Sequence, residues 1–336
     1  MRTNSQINDL RSMFCPCKIK DEVELVEINE EYVEYDGFQF IAKPLNAIIE
    51  LTNKCNLRCK HCCITEKRNE KGINISILNE LINLGIENFE LTGGEPLLHP
   101  HFKEILQLLI ENNCYFRIMS NGYFWSNELY ELLQCYPNVE IFISIDGNEE
   151  IHDSIRGKGS FVKAINTIRE VKIHDIKLGI SMAVSKINID CIDYLSRLVK
   201  EQNIDIIKLI PLKSKTLDPE FIDMYSLSFE DFQRIDSVIE KINLPNKLEY
   251  NDSHNYNSDK RVAFFGCKMG GAFCSIDSYG YLQNCPVTRA PVGQIDDGNF
   301  IELWNILQIN IRRELYSSKC YDCYLRKYCA GNCSYA

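Results

Sequence analysis

The chain has no apolar run approaching the ~18–20 residues that a membrane-crossing helix needs, so no membrane partner is expected. Residues 1–12 are polar and lack the apolar core of a secretion signal, which predicts a cytoplasmic protein. Positive charge is scarce: 37 Lys and Arg against 47 Asp and Glu, a formal net charge of −10. An acidic chain without a basic stripe excludes a general nucleic-acid binder, whose affinity comes from neutralising phosphates. Internal repeats and low-complexity tracts are also missing. With 45% hydrophobic and 25% charged residues the composition is that of a globular protein. Its 336 residues are enough for about two domains and a sizeable core.

Cysteine is the exception, at 16 residues. Cys55, Cys59 and Cys62 fall within eight residues, with Cys63 directly after. Cys267, Cys274, Cys285, Cys320, Cys323, Cys329 and Cys333 lie in the last 70 residues. Cys114, Cys135 and Cys191 lie between the groups, and Cys15 and Cys17 near the start. The chain is too long and its cysteines too sparse for a small disulfide scaffold. Thiols without a secretion signal point to metal binding in a reducing compartment. The division of the cysteines predicts a domain boundary between about 215 and 260.

The middle alternates strand and helix patterns. Strands are predicted at 47–52, 86–91, 115–119, 139–145, 178–184 and 206–210. Helices are predicted at about 77–84, closed by Gly85, and at 102–112, 128–135, 161–172 and 192–202. A further helix is predicted from an N-cap at Ser228 to Ile242. Six strand–helix units in series imply a parallel sheet with right-handed crossovers. Six is fewer than a closed barrel's eight, so a partial barrel and a doubly wound sheet both fit, and either places the active site at the C-terminal strand ends. Before the first strand, 32–35 and 38–41 flank Asp36-Gly37 as a β-hairpin. Residues 251–261 are polar and unpatterned, a linker or a loop over the site.

After the first strand comes Cys55-Asn56-Leu57-Arg58-Cys59-Lys60-His61-Cys62, with spacing C-x3-C-x2-C and an aromatic ring before the third cysteine. Three thiolates on one short loop can hold three corners of a four-iron cluster and leave the fourth iron open. A four-Cys zinc site calls for a second C-x-x-C within about 20 residues, and none follows. Type, spacing and the preceding strand resemble the radical S-adenosylmethionine (SAM) superfamily. By that resemblance the fold is a partial (β/α)6 TIM-type barrel. The open iron chelates SAM, one electron from the cluster cleaves the S–C5′ bond, and the 5′-deoxyadenosyl radical takes hydrogen from a substrate carbon.

The same resemblance assigns cofactor contacts. Thr92-Gly93-Gly94-Glu95-Pro96 follows the second strand, and the family uses this motif for the SAM amino group. Ser120-Asn121-Gly122 ends the third strand. Ser144, Asp146 and Arg156 match the pattern S-x-D-G…R-G at and after the fourth strand, implying bonds to the ribose and the carboxylate. Asn188, after the fifth strand, is a weaker candidate. Cys63 beside the ligands is expected to pack, and Cys114, Cys135 and Cys191 to be core.

At the C-terminus, Cys267-x12-Gly280-x4-Cys285 precedes Cys320-x2-Cys323-x5-Cys329-x3-Cys333. This is similar to the small SPASM domain of radical SAM maturases, which holds auxiliary iron–sulfur clusters. Carried over, one auxiliary cluster uses Cys267, Cys274, Cys285 and Cys333, and a second uses Cys320, Cys323 and Cys329. The family's further cysteine is not found after Cys333, so one or two auxiliary four-iron clusters are expected; Cys15 and Cys17 are spare thiols. The domains implied are 1–45 with the hairpin, 46–215 the barrel, 216–261 a helical linker and loop, and 262–336 the SPASM-like domain. The resemblance implies a peptide-modifying maturase acting on a ribosomally made precursor (crosslink, thioether or epimer). It also implies an external electron donor of flavodoxin or ferredoxin type. The alternative is oxidation or trimming of a small molecule or tetrapyrrole. Only 46 residues precede the first strand, too few for a winged-helix peptide-binding domain. Pro286, where sulfatase maturases carry an acidic base, argues against formylglycine formation.

Overall fold

The computed structural model describes residues 32–35, 38–64, 72–212, 225, 227–241, 247–250, 269–296 and 298–315. Cys15, Cys17, Cys267, Cys320, Cys323, Cys329, Cys333 and the loop 251–261 lie outside the described residues. Strands β1 (Tyr32–Tyr35) and β2 (Phe38–Ile41) pair antiparallel. The chain then enters β3 (Asn46–Thr52), α1 (Ile75–Asn83), β4 (Asn88–Gly93), α2 (Phe102–Glu111), β5 (Tyr115–Ser120), α3 (Asn127–Leu133) and β6 (Val139–Ser144). It continues through α4 (Glu149–Arg156), α5 (Ser160–Ile173), β7 (Leu178–Val184), α6 (Ile192–Glu201), β8 (Ile206–Pro211), α7 (Phe229–Lys241) and β9 (Lys247–Tyr250). Strands β3 to β9 lie in sequence order, each parallel to the next. This is the open parallel sheet of a partial barrel.

Local chemistry sets the element ends. Asn74 caps α1 by accepting from the Ser76 amide, and Gly85 after it takes φ +76°, a left-handed turn that favours glycine. At α7 the Ser228 hydroxyl accepts from the Asp231 amide while the Asp231 carboxylate accepts from the Ser228 amide, a reciprocal cap. Two elements differ from the sequence expectation. Helix α4 is short and polar (EEIHDSIR), so its period is hard to read, yet Asn148 caps it through the Ile151 amide. Strand β9 lies inside the segment read as linker; KLEY has only two apolar residues and gains its identity from pairing with β8.

The two faces of the sheet differ. Ile49, Leu51, Phe89, Leu91, Phe116, Ile118, Ile141, Ile143, Ile180 and Met182 are fully buried and belong to one continuous apolar core. Each such side chain contributes roughly 1.5–3 kcal/mol by leaving water. The alternate positions form the concave face. There Lys208 of β8 bonds Glu90 of β4 at 2.7 Å, although three strands separate them in the sheet. Only a curled sheet brings those side chains together.

The C-terminal strands β10 (Phe273–Ile276), β11 (Tyr281–Gln283) and β12 (Pro291–Gln294) join the same sheet beyond β3. β10 runs parallel to β3, and β11 and β12 are antiparallel. Helix α8 (Phe300–Leu315) buries Trp304, whose indole N–H donates to the Ile41 carbonyl at 3.0 Å. That bond ties the hairpin to the C-terminal region.

Candidate active site

The cysteine loop leaves the C-terminal end of β3 and is held by its neighbours. The Lys60 amide donates to Ile155 O of α4 at 3.0 Å, and the Glu95 amide to Lys54 O at 2.9 Å. The Asn121 side-chain amide donates to Asn56 Oδ1 at 2.8 Å and lies 3.9 Å from Cys55 Sγ. Gly93 and Gly94 lie against the root of this loop. A Cβ on Gly93 would sit 2.3 Å from Thr52 O, and one on Gly94 2.3 Å from Lys54 O. The close approach that requires glycine is thus to the chain's own backbone.

Cys55, Cys59 and Cys62 are all half-buried. Burial, against the Arg156 guanidinium and aided by Cys62, Asp146 and Cys55, pushes the Cys59 thiol up to about 11. Among the described residues no group of three or more His, Cys, Asp or Glu could hold one metal ion. A four-iron cluster asks for something else, because each thiolate binds a different iron and the sulfurs stand apart.

The polar strand-end residues differ in how much bonding capacity they have left. Glu95 is fully buried; one carboxylate oxygen accepts from Ser120 Oγ at 2.9 Å and from Leu97 N at 3.5 Å, the other from Asn121 N at 2.8 Å. A carboxylate has about four acceptor sites, so one remains, on Oε2. Burial raises the Glu95 pKa to about 7 against three bonds that lower it. Ser120 also accepts from Gly122 N and from the Trp125 indole, and Asn121 Oδ1 accepts from Tyr123 N. Ser120 is thus fully committed to protein partners, while Asn121 Oδ1 keeps one acceptor site.

Asp146 is fully buried, and its two oxygens accept from Ala183 N at 3.1 Å and from Arg156 Nε at 2.5 Å. His61 Nε2 lies 3.8 Å from the same carboxylate. Burial alone would raise the Asp146 pKa, but the Arg156 and His61 charges outweigh it and hold it at about 2. Arg156 ends α4, so the helix missing from the sequence reading is what aims it. Its Nε is used by Asp146, while its terminal nitrogens make no hydrogen bond among the described residues. Ser144 is half-buried and its hydroxyl likewise has no partner among them. Asn188 is buried, donates to Asp146 O and Ala183 O, and accepts from Ser185, so it braces the β7 end.

The concave floor below was not anticipated. Besides Glu90–Lys208, Arg117 Nε bonds Glu140 Oε2 at 2.8 Å, Lys177 reaches the other Glu140 oxygen, and Arg289 reaches Glu50. Arg117 and Lys208 lie 5.2 and 5.8 Å from the centroid of the Phe142 ring. A sequence signal exists: NAIIELT, NFELTG, YFRIMS, VEIFIS and IIKLIP each carry one charged residue on the sheet's inner parity.

Of the C-terminal cysteines, two are described. Cys274 is fully buried, in register with Ala47, and shares the apolar face with Ile276. Cys285 is half-buried in the loop after β11, beside Pro286, whose carbonyl lies 3.9 Å from Cys63 Sγ. Cys114 and Cys191 are buried as expected, while Cys135 is exposed after α3.

Residues 49–199 match the family described as the Radical SAM superfamily. The chain is 27% identical over 290 residues to the sporulation killing factor maturation protein SkfB of Bacillus subtilis (strain 168), covering 82% of this chain and 69% of that one. It is 27% identical over 312 residues to the mycofactocin maturase MftC of Mycolicibacterium smegmatis, covering 86% and 78%. Its fold resembles that of Streptococcus suis SuiB bound to S-adenosylmethionine, with a TM-score of 0.72 at 17% identity over 88% of this chain and 74% of that one. Residues 49–199 are a radical SAM domain. The family's cofactors are SAM and a four-iron cluster. The residues fit them: three half-buried thiols on one loop, and beside them an arginine with unused donors. Among the described residues no helix is long and apolar enough to cross a membrane.

Proposed function

We propose that this chain modifies a ribosomally made peptide by radical chemistry, with Cys55, Cys59 and Cys62 as the ligands of the SAM-binding cluster. When bound, cluster and SAM supply a 5′-deoxyadenosyl radical that removes hydrogen from a substrate carbon. Arg156 is the residue on which the reading rests: its terminal nitrogens, near Cys59 and Cys62, have no hydrogen-bond partner among the described residues and suit a carboxylate, held in place by Asp146. Ser144 offers a free hydroxyl at the next strand end, and Glu95 one acceptor for an ammonium. Gly93 and Gly94 let β4 pack on the loop, and Ser120, Asn121 and Asp146 position the residues that touch the ligand.

The maturases SkfB and MftC support a peptide substrate. The C-terminal cysteines are proposed to hold one or two auxiliary clusters; Cys285 stands next to Pro286, whose carbonyl approaches Cys63. Cys274, enclosed by apolar side chains, is the least suited of the proposed ligands. A flavodoxin- or ferredoxin-type donor is proposed to supply the electron. The protein should also divide as 1–45, 46–215, 216–261 and 262–336, although β10 shares the barrel's sheet. Anaerobically reconstituted protein given SAM and dithionite should release 5′-deoxyadenosine. Co-expression with short open reading frames neighbouring its gene should yield one modified peptide. Absence of SAM cleavage refutes the enzyme's proposed site, and unmodified peptides refute the substrate class.

A further inference from the structure

We propose that the groove between α1 and the β10–β11 turn binds an extended, cationic stretch of the substrate peptide, outside the segment being modified. The proposal rests on the peptide-modifying reading above and deepens it by giving the substrate a second foothold.

The groove measures about 1070 Å³. That is at or beyond the upper end of small-molecule pockets, roughly 300–1,000 Å³, and suits several residues of chain. Glu80 and Asp296 line it, and among the described residues no Lys or Arg does. Amide side chains from Asn79, Asn83 and Gln294 add donors and acceptors, the kind of wall that pairs with a peptide backbone. Ser278, on the same wall, is 1% exposed, and its hydroxyl has no hydrogen-bond partner among the described residues. A buried hydroxyl left unbonded costs about 1–3 kcal/mol, a cost that a bound partner removes.

The inner end of the groove reaches the reaction rim. The Asn53 side-chain amide, two residues before Cys55, donates to the Tyr279 hydroxyl at 2.9 Å, and Tyr279 lines the groove. Gly72, also on its wall, bridges to Thr52 at the end of β3. A peptide lying along α1 therefore arrives beside the cysteine loop. None of the groove residues belongs to the proposed SAM site.

The test uses the holoenzyme and a phage-displayed library of random dodecapeptides as probe. Enriched peptides are resynthesised with a fluorescent label and titrated by anisotropy. They should carry Lys or Arg, and Asn79→Arg and Asn83→Arg should each weaken them by about tenfold. Both positions are exposed on a helix, where Arg is well tolerated, and SAM cleavage without peptide should stay unchanged in both variants. No enriched peptide, enriched peptides without Lys or Arg, or binding to both variants as tight as to the unsubstituted protein overturns the proposal. The titration reads the groove whether or not SAM is cleaved, so its failure is distinct from failure of the catalytic reading.

Discussion

The rim and the floor of the half-barrel are built by different rules. Rim residues come in short contiguous motifs, because each sits where a strand ends and the backbone turns. Cys55 to Cys62, Gly93 to Glu95 and Ser120 to Gly122 are each a few residues long and bonded to one another across neighbouring strand ends. Floor residues are solitary: Glu50, Glu90, Arg117, Glu140 and Lys208 occur once per strand; Arg117 and Glu140 meet across paired neighbours, and Glu90 and Lys208 only when the sheet curls. The rim is proposed to serve ligands, and the floor holds the curl. The two should therefore fail separately.

The largest expected effect is on the rim. Replacing Cys55, Cys59 and Cys62 together with Ala should abolish 5′-deoxyadenosine formation, while iron measured on the C-terminal cysteines persists; continued SAM cleavage would remove these residues from the site. On the floor, Lys208→Met leaves Glu90 without its cation and should destabilise the fold by about 3 kcal/mol, read as a lowered urea midpoint. Adding Glu90→Leu should restore most of that loss, since a replaced pair leaves no orphaned charge. If the destabilised single variant, still folded, also lost uncoupled SAM cleavage, rim and floor would not be separable.

Glu95 sharpens the contrast through pH. Its folded pKa of about 7 lies above the ordinary 4.5, so the folded chain holds the proton more tightly than the unfolded chain. Stability should fall as pH rises from about 4.5 through 7, by up to roughly 3 kcal/mol. Thermal melts without SAM should show this slope in wild type and a flatter profile in Glu95→Gln. Equal profiles would mean that Glu95 is not desolvated as the fold implies. Smallest of all, Ser144→Ala should weaken SAM binding by a single hydrogen bond, about 0.5–1.5 kcal/mol, with no change in melting; calorimetry of SAM binding checks it.

The same contrast explains what the sequence reveals. The six strands were legible because apolar periodicity is local. Helix α4 was not, since only Ile151, His152 and Ile155 mark its inner side, yet it carries Arg156. The floor stayed hidden because one charge per strand has meaning only after pairing: Lys208 and Glu90 are 118 residues apart. The roles of Ser120 and Asn121 were half-legible. Their type and place suggested ligand contacts, but hydrogen-bond capacity is a count of neighbours, and neighbours are known only in three dimensions.

The pairing of β10 with β3 has a consequence for how the molecule is made. Cys274 meets Ala47 only after more than two hundred intervening residues have left the ribosome. Until then the first barrel strand has an open edge, and open edges recruit other chains. Such late, distant closure slows folding and prolongs exposure of partly formed structure. The cysteine loop grows from that same unfinished edge, so its thiols stay open in the nascent chain until the C-terminal strands close beside them. Delaying synthesis just upstream of β10 should lengthen that window, and truncating the chain before it should leave the window permanently open.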